Sequence, residues 1–104
     1  MIDSHCHIQV TEKFGDAKGC TQYCISAVTG QDNEELLKFR NDPTVLSLGF
    51  GLHPHHADEF SGCLLAEVTQ YLKSVPRSFV GEIGLELRPQ YCEKIPLAQQ
   101  LVVF

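Results

Sequence analysis

The chain has 104 residues, enough for one modest domain, and its 43% hydrophobic and 20% charged content is typical of a globular rather than a disordered protein. The formal net charge is −5 and no basic run occurs, which excludes a surface that attracts nucleic acid broadly. Any phosphate-bearing ligand would have to be held locally, for example by a metal ion.

No apolar run approaches the roughly 20 residues needed to cross a bilayer, so the composition excludes a membrane-spanning segment. Five cysteines are present without a CxxC pair, namely Cys6, Cys20, Cys24, Cys63 and Cys92. Together with the absence of a signal peptide before Asp3, they predict a reduced, cytoplasmic protein. We expect the last four cysteines to be small buried apolar residues.

The first half of the chain is predicted to contain two strands and a helix. Residues 2–8 form a short apolar run, and residues 23–29 (YCISAVT) form a second that is rich in strand-forming residues. A helix is predicted within residues 31–42 (QDNEELLKFRND), where Asp32 is the expected N-cap and Glu35 stands at capping-box spacing. The connection between the two strands shows little periodicity, and we interpret it as a loop with a short helix.

The second half continues this alternation of strands and helices. Residues 45–52 (VLSLGFGL) are a third predicted strand, and Asp58 and Glu59 open the next helix. That helix carries an apolar stripe in which every fourth residue is hydrophobic: Phe60, Leu64, Val68 and Leu72. Residues 78–85 (SFVGEIGL) are the fourth strand, and a last helix begins near Pro96, which suits a first-turn position.

This order of elements, with no internal repeat and no linker, predicts one α/β domain with about four parallel strands. In such proteins functional sites form at the carboxyl ends of the strands. His5 and His7 lie toward that end of the first strand. His53 follows the third strand directly, and Glu82 lies on the fourth. We therefore expect these side chains to converge from three strands.

Alternation along the first strand places polar side chains on one face. Asp3, His5 and His7 are two residues apart and therefore point the same way, whereas Cys6 points away from them. Imidazole nitrogens with a carboxylate are the ligands that zinc, manganese or a similar divalent ion requires. We therefore interpret His5, His7 and Glu82 as metal ligands.

Each of these residues also has an ordinary structural interpretation. His5 and His7 could be strand residues that face partners in a polar layer, and Glu82 could pair with a basic neighbour. His53 is interpreted as a contact to substrate or phosphate, the alternative being a solvated loop residue, and the next two histidines of GLHPHH are expected to be exposed. Asp3 lies deeper in the strand, so we expect it to orient the ligands rather than bind metal itself.

Three short motifs occur in the order and at the approximate spacing of a known family: DSHCH near the start, GLHPH after the third strand and GEIGLE on the fourth. Together they resemble the TatD family of metal-dependent hydrolases, which is similar to the wider amidohydrolase group of (β/α)8 barrels. The closing QLVVF resembles the start of that family's next helix. The resemblance implies the N-terminal half of a TIM-like barrel, with about four parallel strands and their helices.

The resemblance also implies a role for each residue. His5 and His7 correspond to the family's pair of metal ligands, and Glu82 corresponds to the catalytic carboxylate that bridges two divalent metals. His53 corresponds to a histidine near the substrate phosphate. Such proteins are typically deoxyribonucleases or phosphoesterases that act on DNA through a metal-activated water, with one or two Mg, Mn or Zn ions as cofactors.

The sequence departs from the family pattern in two respects. The last motif usually ends in Asp, whereas this chain has Glu86, which is one methylene longer. The family also takes two histidines and an aspartate from later strands, and no histidine follows His56 here. The resemblance therefore implies a single partial domain over residues 1–104, truncated before the later strands, with a half-built metal site.

Three functions stay open on the sequence alone. The chain is a TatD-like hydrolase in its complete form, a non-catalytic truncated remnant that keeps a weak metal site, or a small metal-binding or redox module that uses the cysteines with the histidines. The last requires Cys6 to approach the histidines, and its alternation with His5 and His7 turns it away from them. The three motifs favour the hydrolase.

Overall fold

The described part of the chain contains a sheet of four parallel strands. The computed structural model describes residues 2–7 and 22–104, with backbone alone at positions 2 and 3. The strands lie side by side in chain order as β1 (Ile2–Cys6), β2 (Gln22–Ser26), β3 (Val45–Phe50) and β4 (Ser78–Val80). The α/β prediction with about four parallel strands is therefore confirmed.

Helices connect the later strands and follow the last one. They are α1 (Gly30–Glu35), which continues as a 3-10 turn over Leu36–Phe39, a 3-10 segment over Pro54–Glu59, α2 (Gly62–Ser74), α3 (Pro89–Cys92) and α4 (Leu97–Val103). Among residues 2–7 and 22–104, each helix is too short or too polar to cross a bilayer. The predicted loop with a short helix between the first two strands lies outside the described residues.

The core lies between the sheet and the helices that pack on it. Ile25 of β2, Phe50 of β3 and Leu36 of the first 3-10 turn are fully buried. Burying a side chain of this size contributes about 1.5–3 kcal/mol to folding. Tyr71 of α2 reaches the same cluster, with its ring centroid 5.2 Å from that of Phe50. Apolar contact thus holds α1 and α2 against the sheet.

Two helices begin at different residues from those predicted. The N-cap of α1 is Thr29, whose side chain accepts a hydrogen bond from the Asp32 N–H, while the Asp32 carboxylate accepts one from the Thr29 N–H. Asp32 is therefore the inner partner of the capping box rather than the N-cap, because Thr29 supplies the outer acceptor. Likewise α2 is capped by Ser61, and Asp58 and Glu59 lie in the preceding 3-10 segment.

The other helical predictions agree with the structure in outline. Leu64 is buried, and Val68 and Leu72 pack against the core, whereas Phe60 precedes the helix. The last helix, α4, begins directly after its N-cap, Pro96. The short helix α3 escaped prediction because a single turn is too short to show hydrophobic periodicity.

The fourth strand is shorter than predicted. β4 ends at Val80, and Glu82 lies just beyond it rather than within it. The Gly81 N–H donates to the Phe50 carbonyl oxygen at 2.9 Å, and the Glu82 N–H donates to the Ala27 carbonyl oxygen at 3.1 Å. Because the second bond reaches past β3 to the end of β2, the chain turns across the edge of the sheet instead of continuing beside β3.

The described cysteines are free thiols, namely Cys6, Cys24, Cys63 and Cys92. The expected burial is wrong for Cys63, which is exposed in the first turn of α2, and Cys24 and Cys92 are only half-buried. Cys6 packs against the core, so it faces away from the histidines as the strand alternation predicted. Cys20 lies outside the described residues.

A buried asparagine ties α1 to the chain that leaves β3. The Asn33 Nδ2 donates to the carbonyl oxygens of Gly51 at 2.8 Å and Thr29 at 3.1 Å, and its Oδ1 accepts from the Gly51 N–H at 2.9 Å. Asn33 is fully buried, so it satisfies both backbone groups of Gly51 away from water. It thereby fixes the segment that leads to His53, whose N–H donates to the Val28 carbonyl oxygen at 2.9 Å.

Replacing Asn33 with Ala should lower the free energy of unfolding by about 2–4 kcal/mol, because both backbone groups of Gly51 lose a buried partner and a cavity is left. Urea unfolding followed by circular dichroism measures the change. Asn41→Ala is the matched control, since Asn41 is exposed and its loss should change that free energy by less than about 0.5 kcal/mol. Equal losses in the two variants would contradict this role of Asn33.

Candidate metal centre

Three side chains from the carboxyl ends of β1 and β4 meet at one edge of the sheet. His7 Nε2 lies 3.1 Å from Glu82 Oε2, and His5 Nε2 lies 3.7 Å from the same oxygen. One ligand atom from each residue lies within 4.8 Å of the other two. The His5 side chain is 54% exposed and that of Glu82 is 23% exposed, so the cluster opens to solvent on its His5 side. The structure thus brings together the three residues that the sequence grouped as metal ligands.

The imidazole of His7 is held in one tautomer. Its Nδ1 lies 2.8 Å from the backbone carbonyl oxygen of Ser26. Because a carbonyl oxygen only accepts hydrogen bonds, Nδ1 carries a proton, and in the neutral ring Nε2 has a lone pair on the side of Glu82. The Ser26 carbonyl therefore orients His7 in the way that was expected of Asp3. The Asp3 side chain is not among those described, so its orienting role stays a prediction.

The Glu82 oxygen that faces the histidines is buried and has no hydrogen-bond partner among the described residues. His7 Nε2 is near enough for a hydrogen bond, yet the geometry is not that of one. With His7 neutral, two lone pairs face each other, and a divalent cation or a proton beside them relieves the repulsion. Imidazole nitrogens with an orphaned carboxylate oxygen are a donor set that fits a divalent metal ion.

His53 directs its Nε2 toward the other oxygen of Glu82. Its Nδ1 accepts from the backbone N–H of His55 at 3.0 Å, so its proton is on Nε2, which lies 3.3 Å from Glu82 Oε1. Burial of the ring lowers the pKa of His53, and the negative charge of Glu82 opposes that shift only in part. The ring is therefore neutral near physiological pH and presents an N–H rather than a positive charge.

The two histidines that follow Pro54 differ from the exposed loop residues that we expected. His55 Nε2 lies 3.1 Å from Glu86 Oε2, and its ring stacks on Tyr91 with 4.1 Å between centroids. His56 Nδ1 lies 2.7 Å from Glu59 Oε2. Both histidines are half-buried and paired. Motif spacing could not predict the pairing of His55 with Glu86, because the two residues are 31 positions apart along the chain.

A close approach at the end of β3 places the backbone of Glu82. A β-carbon at Gly51 would collide with the backbone carbonyl oxygen of Glu82 and would lie 2.9 Å from the carbonyl carbon of Gly81. Glycine at this position therefore permits the two segments to lie in contact. Gly51 is adjacent to Glu82 only in the fold, so no local sequence pattern singled it out.

The parallel strands and the histidine–carboxylate cluster at their carboxyl ends define an α/β protein of the kind in which metal-dependent hydrolases are built. The family profile described as TatD related DNase matches residues 2–104, so the chain belongs to the TatD family, as its motifs indicated. This family is metal-dependent, acts on nucleic acid and has a TIM-barrel fold, of which the four strands are consistent with one half. A comparison with curated proteins finds no match.

Replacing Gly51 with Ala should displace the Glu82 backbone and lower the free energy of unfolding by about 1–3 kcal/mol, the usual cost of overpacking. Urea unfolding measures the free energy, and backbone amide NMR shifts of Glu82 and His53 report the displacement. Gly84→Ala is the matched control, because an added β-carbon there meets no atom within 4 Å. Unchanged shifts at Glu82 in the Gly51 variant would contradict the close-approach interpretation.

Proposed function

We propose that this chain carries the metal-binding part of a TatD-like hydrolase site that cleaves phosphodiester bonds of DNA. The observation that carries the proposal is the buried Glu82 Oε2, which lies 3.1 Å from His7 Nε2 and lacks a hydrogen-bond partner in the described part of the chain. Membership of a metal-dependent nuclease family supports the same chemistry. We assign His5, His7 and Glu82 as metal ligands, with Glu82 also as the catalytic carboxylate.

The donor set narrows the identity of the ion. Two imidazole nitrogens and a carboxylate suit zinc or manganese, whereas magnesium prefers an oxygen shell and would rely on the carboxylate. We propose one or two ions: one beside Glu82 Oε2, which faces His7, and in a two-metal form a second at Oε1, which would displace the His53 N–H that faces it. A bound divalent ion would supply Lewis acidity toward the phosphate and a lowered pKa for a water ligand.

The chain's own residues would bind and orient the substrate around that ion. The Nε2–H of His53, which now faces Glu82 Oε1, is a neutral donor that suits a phosphate oxygen. The Ser26 carbonyl keeps the proton of His7 on Nδ1, so His7 Nε2 stays available as a ligand. Because the net charge is −5, affinity for DNA has to come from this site rather than from the surface at large.

We further propose that residues 1–104 belong to a single barrel domain and that later strands complete the site. β1 and β4 are both edges of the described sheet. Val80 and Ile83, at the β4 edge, are large apolar side chains that lie exposed. An open strand edge beside exposed apolar residues favours pairing with a further strand. The remaining metal ligands would come from such strands.

A second candidate function is that of a non-catalytic chain with a weak metal site. Three side chains converge among the described residues, and one of them, His5, is exposed. Three ligands that are open to solvent bind a divalent ion more weakly than a closed cage and hold it less rigidly. Metal binding without DNA cleavage in every form of the protein would favour this candidate.

Zinc and manganese should bind the chain. Replacing both His5 and His7 with Ala should weaken this binding by more than about 100-fold, because loss of a residue that only hydrogen-bonds to a metal ligand already lowers metal affinity by roughly 10–100-fold. Isothermal titration calorimetry measures both affinities. His56→Ala is the matched control, because His56 pairs with Glu59 outside the cluster. Affinity should fall on acidification, since ligating imidazoles must be unprotonated. Equal zinc affinity in the wild type and the double variant would refute the ligand assignment.

The 104-residue chain should cleave DNA at or near background, because three ligands do not fix the cage that activates water. A chimera that continues the chain with the later strands of a TatD-family barrel should cleave a single-stranded oligonucleotide with magnesium or manganese. Glu82→Gln should abolish that cleavage, whereas Glu93→Gln, at an exposed acid, should not. Metal-dependent cleavage by the 104-residue chain that is lost on Glu82→Gln would instead indicate a site completed by self-association.

A further inference from the structure

The carboxylate of Glu86, outside the metal cluster, joins the 3-10 segment that contains His55 to Arg88, the N-cap of α3. Glu86 forms a bidentate pair with Arg88, whose Nε lies 2.8 Å from Oε1 and whose Nη2 lies 2.7 Å from Oε2. The same Oε2 lies 3.1 Å from His55 Nε2. The Glu86 side chain is only 16% exposed, so its carboxylate is turned toward the protein. The hydrogen bonds from Arg88 hold the pKa of Glu86 well below its usual range, so the group is ionised.

A buried glutamine fixes the backbone of Glu86. The Oε1 of Gln100, in α4, accepts the Glu86 N–H at 2.7 Å. Its Nε2 donates to the Glu86 carbonyl oxygen at 3.1 Å and to the Ile95 carbonyl oxygen at 2.9 Å. Gln100 is almost completely buried, so these bonds are protected from water. One side chain of α4 therefore binds both backbone groups of Glu86 and fixes the position from which its carboxylate extends.

His55 connects that carboxylate to His53. The His55 ring lies parallel to Tyr91, with an interplanar angle of 11°, and edge-on to His53, with 4.5 Å between centroids. Its backbone N–H donates to His53 Nδ1 at 3.0 Å. That bond leaves the His53 proton on Nε2, the atom that faces Glu82.

We propose that Glu86 is a positioning residue for His53. By binding His55 Nε2, it holds the ring and the backbone N–H of His55 in place, and these keep His53 in the Nε2–H tautomer directed at Glu82. Glu86 acts through His55, because its carboxylate contacts His55 and Arg88. The consequence for catalysis rests on the proposed function, in which His53 donates to the substrate phosphate.

The length of the Glu86 side chain lets its carboxylate reach two partners. Its carboxylate binds Arg88 and His55 at the same time, while Gln100 holds its backbone. An aspartate here would withdraw the carboxylate by about one bond, roughly 1.5 Å. Contacts that now measure 2.7 Å and 3.1 Å would then exceed hydrogen-bond length unless the neighbours moved.

The test is the tautomer of His53, read from long-range ¹H–¹⁵N NMR correlations of the imidazoles in the metal-free chain. The wild type should show His53 as a single Nε2–H tautomer. Glu86→Ala should lose that single-tautomer pattern, and Glu86→Gln, whose amide oxygen still accepts from His55, should largely restore it. His56→Gln is the matched control and should leave the His53 tautomer unchanged, because it removes a histidine–carboxylate contact, to Glu59, that makes no hydrogen bond to the His53 ring.

An unchanged His53 pattern in Glu86→Ala would overturn the proposal, as would a wild type with the His53 proton on Nδ1. If Glu86→Ala does not fold, His55→Phe decides the question, since it keeps the stacking on Tyr91 and removes the bond to Glu86. A single Nε2–H tautomer at His53 in that variant would equally overturn the proposal. If Glu86 only anchored the last two helices, its loss would lower stability without changing the tautomer.

The failure of this proposal and the failure of the proposed function are distinguishable. Calorimetry with zinc tests His5, His7 and Glu82 directly, whereas the tautomer is read without metal. A wild type that binds no zinc would defeat the proposed function and leave the tautomer result intact. Normal zinc binding with an unaffected His53 in Glu86→Ala would defeat the positioning role alone.

Discussion

Parallel pairing of β1, β2, β3 and β4 places the carboxyl ends of all four strands at one edge of the sheet. His7 follows β1, His53 follows β3, and Glu82 follows β4, so side chains far apart in the chain meet within 3.3 Å. An antiparallel strand at any of these positions would send its polar residue to the opposite edge. The candidate metal centre depends on this alignment more than on any single contact.

Two histidines face the carboxylate of Glu82, and they present different groups to it. The Ser26 carbonyl fixes the proton of His7 on Nδ1, so His7 turns a lone pair toward Glu82. The backbone N–H of His55 leaves the proton of His53 on Nε2, so His53 turns a donor toward it. In the proposed function, Glu82 would bind a cation through Oε2 while Oε1 faces the His53 N–H. Backbone groups, which any residue supplies, create this difference between the two histidines.

Much of the fold followed from local patterns, and the errors occurred where distant hydrogen bonds compete with them. The helix that begins at Gly30 was predicted, but with Asp32 as its N-cap instead of Thr29, since both side chains are good hydrogen-bond acceptors. The apolar run after Phe79 favoured a longer fourth strand. A bond from the Glu82 N–H to the end of β2 diverts the chain instead.

The sequence by itself determined the α/β class, the family and the grouping of His5, His7 and Glu82, because hydrophobic periodicity and motif spacing are properties of short segments. Only the tertiary structure decided which ring nitrogens of His7 and His53 meet a backbone partner and which residues the Glu86 carboxylate binds. Those outcomes depend on atoms of residues separated by tens of positions, such as the 31 between His55 and Glu86. Such atoms meet only after the strands have paired and α4 has docked, so no local pattern of residues predicts their contacts.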